Sequence, residues 1–95
     1  DINVGTYSGK SCGTEIESLL MKQLAEQSAF TFVNNGRFKG GFITRNYGNP
    51  AANVHAIQLE HAKSCYLDDK QQLSQNAKQL KQLWLNTFTQ LVIDG

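Results

Sequence analysis

The sequence predicts an α/β fold, a partial mixed sheet with two flanking helices, and three patterns carry that expectation. Two segments repeat apolar residues every three or four positions, four short runs are rich in β-branched and aromatic residues, and Gly, Asn or Pro punctuates the gaps between them. Read along the chain, the order is β, α, β, β, β, α.

The first strand is the apolar opening Ile2-Asn3-Val4, followed to residue 13 by a loop rich in Gly, Ser and Thr. Thr14 with Glu17 three positions on has the form of a capping box, in which the hydroxyl caps the first turn and the carboxylate reaches back. Ile16, Leu19, Leu20 and Leu24 then form one apolar stripe, which predicts a packed helix ending near Gln27 or Ser28. Phe30-Thr31-Phe32-Val33 reads as a strand, and Asn35-Gly36 behind it as a tight turn of residues that tolerate positive φ. Gly40-Gly41 marks a bend leading into a third strand, Phe42-Ile43-Thr44-Arg45, and Tyr47-Gly48-Asn49-Pro50 reads as a loop. Val54-His55-Ala56-Ile57-Gln58-Leu59-Glu60 lacks a clean polar face, which suits an interior strand covered on both sides. From about Ser74 the helical period returns, with Leu73, Ala77, Leu80, Trp84, Phe88 and Leu91 on one stripe; Trp84 and Phe88, at its centre, are expected in the core rather than as a ligand-stacking pair. The Gln-rich stretch from Lys70 to Gln82 is the solvated side of that helix, and there is no internal repeat.

A chain of 95 residues holds one small domain. Its 40% hydrophobic and 18% charged residues lie in the globular range. Nine basic against eight acidic side chains give a formal charge of +1, far from the excess that marks a phosphate-backbone binder, so no nucleic acid partner is expected. No apolar run approaches the roughly 20 residues that cross a bilayer, and no signal-peptide pattern opens the chain; no membrane association and a cytoplasmic protein are the expectation. Cys12 and Cys65 have neither zinc-ribbon nor redox-motif spacing. Reduced, partly buried thiols are expected, a disulfide being the alternative. The chain enters a strand directly at Asp1, which reads as a cut edge.

Glu60, at the end of a strand expected to be buried, is the first candidate for chemistry. A desolvated carboxylate can serve as general base on water, whereas a strand-end glutamate can equally reach solvent or pair with Lys63 or Arg45. His55 and His61 are six residues apart, about 20 Å along an extended strand, so they share a metal ion only if the chain folds back. His55 otherwise reads as a hydrogen-bonded histidine in or beside the core. Arg45, before the Gly/Pro loop, and Arg37, after the Asn35-Gly36 turn, can each project a guanidinium into a cleft to take a carboxylate in a two-pronged hydrogen bond, or lie on the surface. No serine nucleophile elbow or phosphate-binding loop is present.

The run Asn35-Gly36-Arg37-Phe38-Lys39-Gly40-Gly41-Phe42-Ile43-Thr44-Arg45, then Tyr47-Gly48, then Val54-His55-Ala56-Ile57-Gln58-Leu59-Glu60, resembles the signature of the N-formylglutamate deformylases. Asp1 to Thr6, Ser11-Cys12 and Tyr66-Leu67-Asp68-Asp69 extend the resemblance over about residues 1 to 69. The resemblance implies part of a fold like the zinc-dependent exopeptidases (phosphorylase/hydrolase-like), with residues 1–95 a single domain forming the C-terminal portion of a larger amidohydrolase. It implies hydrolysis of N-formyl-L-glutamate to L-glutamate and formate in histidine degradation. Zn2+ would be held in the intact parent by ligands upstream of Asp1, with none bound to this portion, which alone would be inactive. Glu60 would be the base that takes a proton from water and returns it to the leaving amine; Arg45, and Arg37 for the second carboxylate, would hold the substrate; His55 would bond substrate or the oxyanion. Asn46 stands where the family usually has His, and Phe42 where Tyr is frequent. A sibling that removes acetyl or succinyl groups, and a non-catalytic binding domain, are the alternatives. Unpaired sheet edges in so small a portion predict self-association.

Overall fold

The computed structural model describes residues 1–94. Its strands are β1 (Ile2–Gly5), β2 (Phe32–Asn34) and β3 (Gln58–His61); its helices are α1 (Thr14–Ala25), the single-turn α2 (Phe42–Tyr47) and α3 (Gln75–Asp94). The sheet order is β2-β1-β3, with β1 parallel to β2 and antiparallel to β3, so the expected mixed sheet is present. A parallel pair needs a crossover, and α1 supplies it between β1 and β2.

Alternation along β1 sorts the sheet into two faces. Ile2 and Val4 point to the helices and are buried with Leu20 and Leu24 of α1, Phe30 and Cys65, while Phe32, Leu59, Leu80 and Trp84 pack around them. Full burial of one such aliphatic side chain contributes about 1.5–3 kcal/mol, so this small cluster is the main store of stability. Asn3, between them, faces the other way, in register with Val33 of β2 and Glu60 of β3. Helices α1 and α3 cover one face only.

Four elements depart from the sequence reading. Thr14 is the first helical residue and not the cap; Gly13 takes the cap position without a side-chain hydrogen bond, and its carbonyl accepts the Glu17 amide. The Glu17 carboxylate instead accepts Asn34 Nδ2 at 2.9 Å, tying α1 to β2. Gln27 closes the helix by donating to the Leu24 and Phe30 carbonyls and accepting the Phe30 amide.

Phe42–Arg45, expected as a strand, begins α2. Gly40, at φ +123°, swings the chain out of extension. Thr44 Oγ1 then donates to the Gly41 carbonyl and Asn46 Nδ2 to that of Phe42, bonds that stabilise a turn and not a ladder. A four-residue run with only two apolar members does not distinguish helix from strand by period alone.

The long interior strand expected over Val54–Glu60 shrinks to β3, the edge of the described sheet, with one face uncovered. Val54 bridges back to Asn49 across a 3-10 turn at Pro50–Ala52, and Ala56 donates to the Ser11 carbonyl. Asn53 sits in the left-handed region at φ 60°, which reverses the chain before β3.

In α3 the buried row runs through Leu80, Leu83, Trp84 and Thr87, so Phe88 falls on its shoulder, 48% exposed and stacked on Trp84 at 5.5 Å; Leu73, 77% exposed, precedes the helix and stays outside the core. Trp84 joins the core as expected. Both thiols are free and buried, and burial, with the Glu17 carboxylate adding to it, pushes that of Cys12 up to about 11.

One link between sheet and α3 depends on pH. Trp84 Nε1 donates to His61 Nε2 at 2.9 Å, and the rings meet edge to face. Burial lowers the His61 pKa below its ordinary 6.5, against an opposing pull from Glu60. The folded chain therefore prefers neutral His61: the stability this adds is present above pH 6.5 and is lost as pH falls through the folded pKa. Fluorescence of Trp84, the only tryptophan in the sequence, should titrate with a midpoint below 6.5. A midpoint at or above 6.5 would contradict the preference of the folded chain for neutral His61.

Candidate active site

The uncovered sheet face forms the floor of a cleft of about 510 Å³, lined by Asp1, Ile2, Asn3, Val33, Arg37, Phe38, Glu60, His61 and Ala62. Strand alternation puts Glu60 on this face, and the loop after Asn35 brings Arg37 to its rim. That loop is built by one side chain. Asn35, at φ 52°, accepts the Thr6 and Ser8 amides on Oδ1 and donates through Nδ2 to Thr6 Oγ1. Asn3 Nδ2 donates to the Phe38 carbonyl at 2.6 Å, holding the loop against the sheet. The Arg37 guanidinium lies over the Phe38 ring, 5.6 Å from its centroid, with its planar edge available for an anion.

Glu60 is exposed, not desolvated as its strand position suggested, because no layer covers this face among the described residues. Its Oε1 accepts Gln58 Nε2 at 2.7 Å. Gln58 lies two residues before it on the same strand face, and its Oε1 accepts the Gly41 amide at 2.8 Å.

Arg45 is not in this cleft. It sits on α2, where its Nε donates to the Gly41 carbonyl at 3.3 Å. His55 belongs to another pocket, lined with Gly13, Thr14, Glu15, Ile16, Pro50 and Asn53, at the start of α1. There its Nδ1 accepts the Gly13 amide at 2.9 Å, which leaves Nε2 as the donor towards Asn53 Oδ1 at 3.0 Å. The structure thus brings Glu60 and Arg37 together, links Arg45 to Glu60 through Gly41 and Gln58, and keeps His55 apart.

Two residues of the site were passed over in the sequence. Asn3 is the polar member of an otherwise apolar strand, and its buried Oδ1 has no hydrogen-bond partner. Gln58 was discoverable from the two-residue period that places it beside Glu60. Asn46, tied to the Phe42 carbonyl, and Phe42, edge-on to Tyr47 at 6.0 Å, both lie on α2.

A zinc ion does not fit the donors present. No group of three His, Cys, Asp or Glu side chains among the described residues can hold a metal. His55 has both ring nitrogens engaged, and His61 Nε2 is taken by Trp84. The cleft as it stands offers a carboxylate base and a guanidinium over an open floor.

The N-formylglutamate amidohydrolase family profile matches residues 1–67. An N-formylglutamate deformylase of Pseudomonas putida is 48% identical over 69 residues, covering 73% of this chain and 26% of that protein. One of Pseudomonas aeruginosa is 46% identical over 70 residues, covering 74% and 26%. The chain therefore spans about a quarter of the length of these curated relatives. The crystal structure of an N-formylglutamate amidohydrolase from Ralstonia eutropha JMP134 superposes with a TM-score of 0.84 over 98% of this chain and 34% of that one, at 22% identity, which shows a shared fold that includes α3. Among the described residues no helix is long and apolar enough to cross a membrane.

Proposed function

The chain belongs to the N-formylglutamate amidohydrolase family, and from that premise we propose that it is the C-terminal portion of an enzyme hydrolysing N-formyl-L-glutamate to L-glutamate and formate. The observation that carries the reading is the shared cleft of Glu60 and Arg37. Both residues lie inside the matched segment. An amide with two carboxylates needs a base for water and cations for its anionic ends, and this cleft holds one of each.

In this reading Glu60 takes a proton from water as its oxygen attacks the formyl carbon. The same carboxyl delivers that proton to the amide nitrogen as the C–N bond breaks, leaving formate and the free amine of glutamate. Arg37 holds one substrate carboxylate in a bidentate pair. Arg45 lies outside this cleft on α2 with its Nε held by Gly41, so it would have to reach over that turn with its terminal nitrogens to meet the other. His55, in a separate pocket with both ring nitrogens engaged, makes no contact with a substrate in this cleft as the chain stands.

We further assign the fold to the zinc-dependent exopeptidase-like class and place the zinc on ligands outside this chain, since its own histidines are engaged. Residues 1–95 alone would then be inactive. The outer edges of β2 and β3 would meet the rest of the enzyme, or a second copy when residues 1–95 stand alone. We also propose that the reaction belongs to histidine degradation and takes place in the cytoplasm. Formate release from N-formyl-L-glutamate by the full-length polypeptide that contains these residues tests the reading, with N-acetyl- and N-succinyl-L-glutamate as its competitors.

A further inference from the structure

We infer that Gln58 is a positioning residue for the Glu60 carboxylate, and that the Gly41 peptide sets its orientation and couples the base to Arg45. The inference rests on the reading of Glu60 as general base.

A glutamine side chain presents an acceptor at one end of its amide and two donors at the other, and nothing in its shape distinguishes them. Here both neighbours decide. The Gly41 amide can only donate, and it stands 2.8 Å from Gln58 Oε1. The Glu60 carboxylate, when ionised, can only accept, and its Oε1 stands 2.7 Å from Gln58 Nε2. A flipped amide would set donor against donor at one end and acceptor against acceptor at the other. One orientation satisfies both.

Gln58 therefore holds one carboxylate oxygen, Oε1, in a charge-assisted bond and leaves Oε2 outside that bond. It does so without adding a charge. The opposite side of the Gly41 residue carries a second load: its carbonyl accepts Thr44 Oγ1 at 3.0 Å, the Arg45 amide at 3.1 Å and Arg45 Nε at 3.3 Å. Base and guanidinium are thus tied through one glycine, from β3 across the turn to α2. A displacement at either end is felt at the other.

A plain structural role would make Gln58 a strut between β3 and the turn. Gln58→Glu separates the two. It keeps the side-chain length and an oxygen for the Gly41 amide, and replaces the donor facing Glu60 by an acceptor. In the full-length polypeptide kcat for formate release should fall about 10- to 100-fold, the order expected when a reacting group is misplaced, with KM and the melting temperature little changed. Glu60→Gln is run beside it. If Glu60→Gln abolishes turnover while Gln58→Glu retains the full kcat, the positioning role is wrong and the base stands. If Glu60→Gln itself turns over normally, the base reading fails and takes this inference with it. Should Gln58→Glu not fold, hydrogen exchange in the wild-type chain decides: the Gln58 Nε2 protons should exchange more slowly than those of exposed glutamines and lose that protection in Glu60→Ala. Unprotected Nε2 protons would overturn the proposal.

Discussion

Glu60→Gln in the full-length polypeptide should lower kcat for formate release by about 10²- to 10⁴-fold, the usual contribution of a positioned general base. The substitution is close to isosteric. A glutamine at this position still offers an oxygen to Gln58 Nε2, so the bond that orients the group survives and only its basicity is lost. Because Glu60 is exposed on the uncovered sheet face, its replacement leaves the core around Ile2, Val4, Leu20 and Leu24 untouched. The melting temperature and KM should therefore stay near those of the parent. A variant that keeps its kcat, or one that loses activity only because it unfolds, would remove Glu60 from the chemistry.

Gly40→Ala should be the most damaging substitution in the loop that shapes the site. Gly40 adopts φ +123°, a conformation that an L side chain takes up only under strain, and a Cβ there would run into the side chain of Thr44. Thr44 is buried and cannot yield without breaking its bond to the Gly41 carbonyl. Strained backbone costs about 1–3 kcal/mol and an overpacked buried contact about 1–3 kcal/mol more, so a loss of at least about 2 kcal/mol is expected. Gly41→Ala is the control: at φ −127° its Cβ would meet only Gln58 Oε1, at 3.4 Å, and should cost far less. Denaturant unfolding of the two variants distinguishes them. Equal midpoints would show that the Gly40 turn is not strained as described.

The parts of the fold that were legible in the sequence are those where one physical cause dominates. The helical stripe through Leu20 and Leu24 produced α1, and the apolar run at Ile2–Val4 produced the central strand. The short segments were not legible, because their conformation is set by bonds to residues far away in sequence. Phe42–Arg45 has strand-forming composition, yet the positive φ of Gly40 and two side-chain-to-carbonyl bonds make it a helical turn. Thr14 lost the cap to Gly13, whose amide is already bonded to His55, 42 residues away. For the site, the resemblance pointed to Glu60, Arg37, Arg45 and His55, but the strand pattern, read as covered on both sides, did not put Glu60 on an open face. Neither could show that Arg37 shares its cleft while His55 lies in a separate pocket, since both facts depend on how the loops close. The histidines themselves gave no sign of their bonds to Gly13, Asn53 and Trp84, because each partner is set by the folded loops and by α3.

The most direct test of the account is release of formate from N-formyl-L-glutamate by the full-length polypeptide, compared with amine release from the N-acetyl and N-succinyl analogues. The account predicts turnover of the formyl compound with the highest kcat/KM of the three. Preference for an acetyl or succinyl group would contradict the formyl-specific reading while keeping the base and the arginines. No hydrolysis of any of the three would contradict the catalytic reading of the Glu60 cleft itself.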